Sequence, residues 1–384
     1  MVLDRRRWLA AAAGAGALFA APRVLFAQAA TERRFVFVIQ RGAADGLHAV
    51  APYADPGYAA LRGTLAMDDP HATRLDGLFA LHPALAGFGR LYAAGQALVV
   101  HAVASPYRDR SHFDGQNVLE SGGNRPYERK DGWMNRLVGL LPAQPAEPIA
   151  FAPTVPLALR GPREVTSYAP SALPAPSDDL LVRVRRLYEQ DAQLHALWSA
   201  AMEARGMAGL QPEDGRQSPA AVGQLAAKFL AEPNGPRIAM IETGGWDTHS
   251  AQNARLGGQL KRLDGLLGAL QQGLGTAWAQ TVVLVATEFG RTVAVNGTGG
   301  TDHGTGSVAL LAGGAVQGGR VIADWPGLAG AALYEGRDLR PTLGLDALIA
   351  GAAAETFGLD PGRVARTLFP DVRTGRPLTG LVRA

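Results

Sequence analysis

The chain has 384 residues, with 37 lysines and arginines against 34 aspartates and glutamates, which gives a formal net charge of +3. It contains no cysteine, and this excludes disulfides, thiolate metal ligands and cysteine nucleophiles. The length is sufficient for one large domain or two smaller ones.

The first 29 residues have the three parts of a secretory signal. Arg5, Arg6 and Arg7 begin it, an apolar run rich in alanine and glycine covers residues 9–21, and Ala27-Gln28-Ala29 ends it. Paired arginines select the twin-arginine route, so we expect a periplasmic or otherwise exported protein whose partner is the twin-arginine export machinery. The alternative is an uncleaved anchor, but the run is shorter than the ~20 apolar residues that cross a bilayer.

The signal segment also accounts for the basic net charge. Residues 1–29 hold four arginines and one aspartate, so the rest of the chain has 33 residues of each charge. Because no basic stripe is evident either, we expect no nucleic-acid partner. No second apolar stretch is long enough to cross a bilayer, so no stable membrane span is expected in the mature form.

The mature chain alternates between apolar strands and amphipathic helices. Continuous apolar runs, typical of buried parallel strands, occupy residues 35–40, 97–104, 237–241, 281–286 and 307–312. Helical patterns cover residues 111–121, 256–274 and 346–357, and in the second of these leucines recur at steps of three and four. This alternation predicts an α/β fold with a mostly parallel sheet between helices.

The middle of the chain has a different character. Residues 142–177 are rich in proline and carry little periodicity. A long charged helix over 179–205 and a shorter one over 219–230 are predicted after them. We interpret residues 142–235 as a Pro-rich and helical insertion or cap on a single α/β domain that spans residues 30–384.

Residues capable of chemistry stand at the ends of the predicted strands. In an open α/β sheet, ligands bind beyond the carboxyl ends of the strands. An acidic residue or a histidine follows four strands and precedes a fifth: Asp45, His112, Asp247 with His249, Glu288, and His303. Each alone has a structural explanation, such as a turn former, a helix cap, a buried histidine or an ion pair. Their shared sheet edge indicates a site.

The residue types at this edge suit metal-assisted chemistry on an anionic group. Carboxylates and neutral imidazoles together suit a divalent ion such as Zn²⁺, Mn²⁺, Mg²⁺ or Ca²⁺. Ser111 begins a predicted helix, where amides and the helix dipole favour an anion, so it is a candidate nucleophile. A simple N-cap role for Ser111 is the equal alternative. Arg41 and Arg110 could hold two oxygens of a phosphate or sulfate.

Taken together, these segments resemble a known protein family. The matching segments are 41–47 (RGAADGL), 110–113 (RSHF), 244–249 (GGWDTH), 287–292 (TEFGRT) and 302–304 (DHG). They resemble a bacterial family of unknown function that is exported by the twin-arginine route and grouped with the alkaline phosphatase and sulfatase superfamily. The resemblance extends over residues 35–357 and implies an alkaline-phosphatase-like core.

The resemblance also implies a site for one or two divalent metal ions. By position, Asp45 and Ser111 would share one metal. Asp247 and His249 would bind the second metal, and His303 would complete that site.

Two departures from the superfamily bear on the number of metals. The position of a ligating Asp-His pair reads Glu288-Phe289 here, so the glutamate can ligate and the phenylalanine cannot. Asp247 and His249 are also closer in sequence than the superfamily's usual pair. Both departures fit a single metal, or none, better than two.

The superfamily mechanism implies in-line attack by Ser111 on phosphorus or sulfur. Arg41 or Arg110 would hold the non-bridging oxygens, and His112 is the candidate acid for the leaving group. The substrate would be a small-molecule or polymer ester of phosphate or sulfate. Two alternatives stay open: a catalytically degenerate member that binds a ligand or a partner protein in the periplasm, and a serine hydrolase without metal, whose G-x-S-x-G motif is absent.

Overall fold

The computed structural model describes residues 31–142, 146–169, 218–372 and 375–383, with isolated positions between 184 and 199. The predicted signal segment, 1–29, lies outside the described residues and stays a prediction. Most of the helix predicted over 179–205 lies outside them too.

The strands and helices alternate along the described chain. The strands are β1 (Arg34–Gln40), β2 (Val50–Ala51), β3 (Thr73–Arg74), β4 (Ala80–Leu81), β5 (Ala97–Ala104), β6 (Ile149–Phe151), β7 (Thr166–Ser167), β8 (Ile238–Thr243), β9 (Thr281–Thr287), β10 (Ser307–Ala312), β11 (Val321–Ile322) and β12 (Leu343–Gly344). The helices are α1 (Gly46–Ala49), α2 (Tyr58–Arg62), α3 (Ala86–Ala93), α4 (His112–Ser121), α5 (Trp133–Leu140), α6 (Pro219–Ala231), α7 (Gln252–Leu274), α8 (Leu345–Phe357) and α9 (Pro361–Leu368).

The main sheet contains nine strands within the described residues. Its order is β11-β5-β10-β9-β1-β8-β6-β7, and β12 also pairs with β5. The central strand β1 is parallel to β8 on one side and to β9 on the other. Strand β10 runs against both of its neighbours, β9 and β5. The predicted α/β class with a mostly parallel sheet is confirmed, and the reversed strand is an addition to that prediction.

Both faces of the sheet are covered by helices. Successive side chains of a strand point to opposite faces, and in β1 both sets are buried. Val36 and Val38 pack in one core with α3, α6 and α7. Phe35, Phe37 and Ile39 pack in a second core with α5, α8 and α9. Because the faces are occupied by apolar packing, polar chemistry is left to the edge where the strands end.

The elements predicted from apolar patterns are present. Each of the five predicted strands is found, with ends within two residues of the prediction. The helix predicted over 256–274 begins four residues earlier, at Gln252, and its leucine stripe is buried. The helix predicted over 111–121 is α4, with Ser111 at its N-cap position.

The described parts of the range 142–235 belong to the core. Strands β6 and β7 extend the main sheet beyond β8. Helix α6, which corresponds to the helix predicted over 219–230, packs against α7. The described parts of the predicted insertion therefore add two strands to the main sheet and one helix to a face of it. Among the described helices, none combines the length and the apolar character needed to span a membrane.

Candidate metal centre

Four polar side chains meet beyond the ends of the central strands. His112 lies in the first turn of α4, Asp247 and His249 lie in the loop after β8, and His303 lies in the loop before β10. We call these four residues the histidine cluster. One ligand atom each from His112, Asp247 and His303 lies within 4.8 Å of the other two.

The Asp247 carboxylate stands among three imidazole Nε2 atoms. Its Oδ1 atom is 3.0 Å from Nε2 of His249 and 3.6 Å from Nε2 of His303. Its Oδ2 atom is 3.5 Å from Nε2 of His112. The Nε2 atoms of His249 and His303 are 3.0 Å apart. The loops after β8 and before β10 therefore present their ligand atoms to one point.

Each imidazole of the histidine cluster faces a hydrogen-bond acceptor through its other nitrogen, Nδ1. The pairs are His112 with Oε1 of Glu288 at 2.9 Å, His249 with Oδ1 of Asp302 at 3.1 Å, and His303 with the backbone oxygen of Arg110 at 2.8 Å. Ionised carboxylates and carbonyls only accept hydrogen bonds. Nδ1 therefore carries the proton in each neutral ring, and Nε2 presents a lone pair.

These lone pairs converge without a donor among the four side chains of the histidine cluster, and Arg291 donates to Oδ1 of Asp247 from outside it. The three Nε2 atoms and the Asp247 oxygens are all acceptors in this tautomer. Nε2 of His112 is buried and has no hydrogen-bond partner. Imidazole lone pairs held this close repel one another unless a proton or a metal ion lies between them. Imidazole nitrogens with an outer acceptor on the opposite nitrogen, together with a carboxylate, form the usual donor set for zinc.

The charges around the histidine cluster favour an ionised Asp247 carboxylate and a neutral His303 ring, whereas they favour the proton on His112. Burial raises the pKa of Asp247, but the Arg291 guanidinium, 2.6 Å away, holds that pKa below its ordinary value. The bond to Glu288 raises the pKa of His112. Burial lowers the pKa of His303.

Glu288, predicted as a metal ligand, lies behind His112. It is buried, and its Oε1 atom also accepts from the Gly42 N–H at 2.8 Å and the Gln116 amide at 3.1 Å. Burial raises the pKa of Glu288, but the bonds from His112 and Gln116 lower it below its ordinary value. In this arrangement Glu288 orients the His112 ring and fixes its tautomer.

Asp45 lies apart from the histidine cluster. At the N-cap of α1, its carboxylate forms a buried ion pair with Arg62 and accepts from Gln252 at 2.6 Å and from the His48 N–H at 3.2 Å. Burial raises the pKa of Asp45, whereas Arg62 lowers it below its ordinary value. The structure does not bring Asp45 together with the other predicted ligands.

Ser111 occupies the N-cap position of α4 without capping the helix through its side chain. The Tyr107 hydroxyl accepts the Ser111 N–H at 3.1 Å. The next residue is His112, so Ser111 stands directly beside a member of the histidine cluster. The capping explanation of this serine is therefore not supported by its hydrogen bonds.

The two predicted arginine clamps are held in ion pairs. Arg41 contacts Glu120 at 2.7 Å and Glu242 at 2.5 Å. Arg110 contacts Asp338 at 2.8 Å and Glu335 at 2.5 Å. The structure brings neither guanidinium into contact with the histidine cluster. The backbone of Arg110 does reach it, since its carbonyl accepts from His303, and its positive φ of 61° places that carbonyl.

Comparison with known proteins places the chain in a family. The model of that family matches residues 92–369, and its description is "Protein of unknown function (DUF1501)". The chain belongs to the DUF1501 family. All four residues of the histidine cluster lie within the matched range, whereas Arg41 and Asp45 precede it. No curated protein matches the chain.

Solved structures similar to this DUF1501 member are distant in sequence. The C-terminal periplasmic domain of EcEptC from Escherichia coli, in complex with zinc, has 11% identity and a TM-score of 0.42, and the match covers 92% of each chain. Phosphonate monoester hydrolase of Agrobacterium radiobacter has 13% identity and a TM-score of 0.35, covering 90% of this chain and 79% of that one. Alkaline phosphatase from the Antarctic bacterium TAB5 has 13% identity and a TM-score of 0.35, covering 75% and 93%.

Sequence reasoning missed the supporting residues of the site. It assigned His112 to proton transfer, while the structure groups this ring with Asp247 and His303. It interpreted Asp302, which adjoins His303 in sequence, as a turn former and not as a partner of His249. Phe289 is buried with its ring stacked 5.2 Å from that of His112. It supports the ring by packing.

Proposed function

We propose that this protein is an exported, metal-dependent hydrolase that cleaves phosphate or sulfate esters. The observation that carries the proposal is the convergence of three Nε2 lone pairs on the Asp247 carboxylate, with an outer acceptor on each imidazole. Three protein ligands of this kind, leaving a position for substrate or water, are typical of catalytic zinc sites.

The proposal is for one ion, held by the histidine cluster. Asp45, which the sequence resemblance assigns to another ion, is neutralised by Arg62 and accepts from Gln252. Both oxygens of the buried Asp45 carboxylate already accept hydrogen bonds, so ligation would break a buried ion pair, and breaking such a pair is costly. Asp247 is paired with Arg291 through Oδ1, is 42% exposed and keeps Oδ2 directed at His112. Nitrogen-rich ligands favour Zn²⁺ over the harder ions Mg²⁺ and Ca²⁺.

Ser111 is the proposed nucleophile. A divalent ion bound beside it would polarise the ester and stabilise the negative charge that develops on its oxygens. The Ser111 oxygen forms a bond to phosphorus or sulfur as the bond to the alcohol breaks, while the serine proton passes to solvent and the alcohol takes one up. Water then hydrolyses the seryl ester and restores the serine. The free amides in the first turn of α4 favour the anionic group.

Metal content is the test of this proposal. The purified protein, prepared without chelator, is compared with Asp247→Ala/His303→Ala and with Asp69→Ala/His71→Ala. The latter removes an aspartate and a histidine from an exposed loop. We expect close to one zinc per chain in the wild type and in the loop variant, and none in the cluster variant. Absence of metal from folded wild-type protein would contradict the proposal.

An ester screen then separates the hydrolase from a binding protein. The second candidate function, a member that binds a ligand without turnover, is favoured by the two arginines held in ion pairs and by Phe289 in place of a histidine. For a hydrolase, a panel of phosphate, sulfate and carboxylic esters should give turnover of the first two that chelator removes. Ser111→Ala should abolish that turnover and keep the metal. Stoichiometric metal with no turnover of any ester would select the second candidate.

A further inference from the structure

The side chain of Gln252, in the first turn of α7, is the centre of a buried hydrogen-bond network. Its Nε2 atom donates to Oδ2 of Asp45 at 2.6 Å. Its Oε1 atom accepts from the hydroxyls of Thr248 at 3.0 Å and of Thr301 at 2.6 Å. All four side chains are buried, so the amide finds its partners inside the protein. We call these residues and the ion-pair partner of the aspartate the glutamine network: Asp45, Arg62, Thr248, Gln252 and Thr301.

The ion pair between Arg62 and Asp45 fixes the direction of this network. The ionised carboxylate of Asp45 only accepts hydrogen bonds, so the Gln252 amide must turn its N–H toward it and its oxygen toward the two hydroxyls. Arg62 is itself fully buried, and its Nη1 atom donates to the carbonyls of Thr292 at 3.3 Å and Val293 at 3.2 Å. The guanidinium is therefore bonded both to the chain that follows β1 and to the chain that follows β9.

The two threonines of the glutamine network lie in the loops that carry the proposed metal ligands. Thr248 stands between Asp247 and His249 in the loop after β8. Thr301 precedes His303 by two residues in the loop before β10. A single amide oxygen, on a third element, therefore holds both ligand loops.

Arg291 joins the same two loops a second time. Its Nε atom donates to the Thr301 hydroxyl at 3.2 Å, and its Nη1 atom donates to Oδ1 of Asp247 at 2.6 Å. Because the Thr301 oxygen accepts from this guanidinium, its own proton is free to go to Gln252. The donors and acceptors of the network are thus consistent from Arg62 to the Asp247 carboxylate.

We propose that the glutamine network takes the place of a second metal ion, and that Gln252 is a positioning residue for the ligands of the first. An ion at Asp45 would supply positive charge and join the ends of neighbouring strands. Here Arg62 supplies the charge, and Gln252 joins the loop after β8 to the loop before β10. The residues around Asp45 therefore do not fit a second ion. This inference rests on the proposed function, because it concerns the affinity of the histidine cluster for its one ion.

Zinc titrations of the metal-free protein, in competition with a chelator of known affinity, test the network. Gln252→Met removes both ends of the amide and keeps the length of the side chain. Thr248→Val removes only the hydroxyl, whereas Thr248→Ser keeps it. The control is Leu267→Ala, in the buried leucine stripe roughly four turns along α7, which lowers stability without removing a bond of the network. The visible absorption of the Co²⁺-loaded proteins reports the geometry of the ligands.

We expect Gln252→Met and Thr248→Val each to lower zinc affinity about 10-fold, the lower end of the range for outer partners of metal ligands, and to change the Co²⁺ spectrum. A displaced loop presents its ligand atoms at the wrong distance or angle. Thr248→Ser and Leu267→Ala should keep the affinity and the spectrum of the wild type. In excess zinc, Asp45→Asn should bind as many ions as the wild type, because Asp45 holds none.

Unchanged affinity in Gln252→Met or in Thr248→Val would overturn the positioning role. An equal loss in Thr248→Ser or Leu267→Ala would also overturn it, because the loss would then follow packing or general stability. If Gln252→Met does not fold, the comparison of Thr248→Val with Thr248→Ser decides. Fewer zinc ions in Asp45→Asn than in the wild type would overturn the replacement of a second ion. Failure of the wild type to bind any zinc would overturn the proposed function, and this inference with it.

Discussion

The three histidines of the cluster are oriented by acceptors of two kinds. Glu288 and Asp302 are carboxylates, whereas the partner of His303 is the backbone carbonyl of Arg110. A buried carboxylate increases the basicity of the imidazole more than a carbonyl does, because it bears a charge. His112, with a fully buried Glu288 behind it, is therefore expected to be the strongest of the three ligands.

Replacement of Glu288 by glutamine should weaken metal binding. The amide oxygen can still accept from Nδ1 of His112, but the charge that strengthens the ligand is lost. We expect zinc affinity to fall about 10- to 100-fold, as for other outer-shell partners. The measurement is a competition titration against a chelator of known affinity.

The matched control for this change is Glu242→Gln. Glu242 stands at the end of β8 and pairs with Arg41 at 2.5 Å, outside the histidine cluster. The zinc affinity of the Glu242→Gln protein should equal that of the wild type. Equal affinities for Glu288→Gln and wild type would show that Glu288 does not orient a metal ligand.

The sequence predicted which residues lie at the candidate site better than it predicted what each residue does there. The rule that ligands bind at strand ends brought Asp247, His249 and His303 together, and the structure has them in contact. The same rule placed Asp45 with them. It could not show that Arg62, from a separate helix, neutralises that carboxylate. A counter-ion distant in sequence leaves no local pattern.

At the scale of elements, the start of α4 differs from the start of α6. Ser218 caps α6, since its hydroxyl accepts from the Ala221 N–H at 3.2 Å. Ser111 occupies the same position on α4 and makes no such bond. Two serines at equivalent helix positions therefore have different expected contributions to stability.

We expect Ser218→Ala to lower the free energy of unfolding by about 1 kcal/mol, the usual value of a lost N-cap. Ser111→Ala should lower it by less than about 0.5 kcal/mol, because no cap is removed. Urea unfolding followed by circular dichroism measures both. A loss of about 1 kcal/mol in Ser111→Ala would mean that the serine is a structural cap after all, and its nucleophile role would lose its main support.

Strands were predictable where apolar runs were long, and less so where pairing is brief. Strands β7, β11 and β12 have two residues each, too few to show any alternation. The direction of β10 did leave a signal, because the connection from β9 contains no helix. A parallel neighbour would need a crossover, whereas an antiparallel one does not. This reversal is also what starts β10, and hence His303, at the edge where β9 ends.

Across the whole molecule, buried neutral histidines connect stability to pH. His101 is fully buried; its Nε2 is 3.0 Å from the Val50 carbonyl, and its Nδ1 accepts from the Ala102 N–H at 2.8 Å. A second proton on the His101 ring would have to sit on Nδ1, where it would face the Ala102 N–H. Burial lowers the pKa of His101 to about 4, and that of His48 also to about 4.

Because the folded pKa of His101 lies below the unfolded value of about 6.5, its contribution to stability is present above that pH and is lost as the pH falls toward 4. Between pH 7 and pH 5 the loss should be about 2 kcal/mol. Unfolding in urea of the metal-free protein at both pH values should show this loss, reduced in His101→Gln. The exposed His71→Gln variant should keep the wild-type loss.

Carboxylates with lowered pKa begin to contribute only below this window, whereas His112, with a raised pKa, contributes in the opposite direction. Equal losses in all three proteins would contradict the assignment to His101.

The position of β1 at the centre of the sheet governs when the protein can fold. Its two neighbours begin at Ile238 and Thr281, roughly 200 residues and more after β1 ends at Gln40. At a synthesis rate of about 5 to 20 residues per second, the ribosome needs about 10 to 40 s to reach the first of them. During that time the apolar strand FVFVIQ has neither partner and is exposed to aggregation, so a chaperone is expected to hold the growing chain. The fold therefore forms after translation of most of the chain, not progressively from its N-terminus.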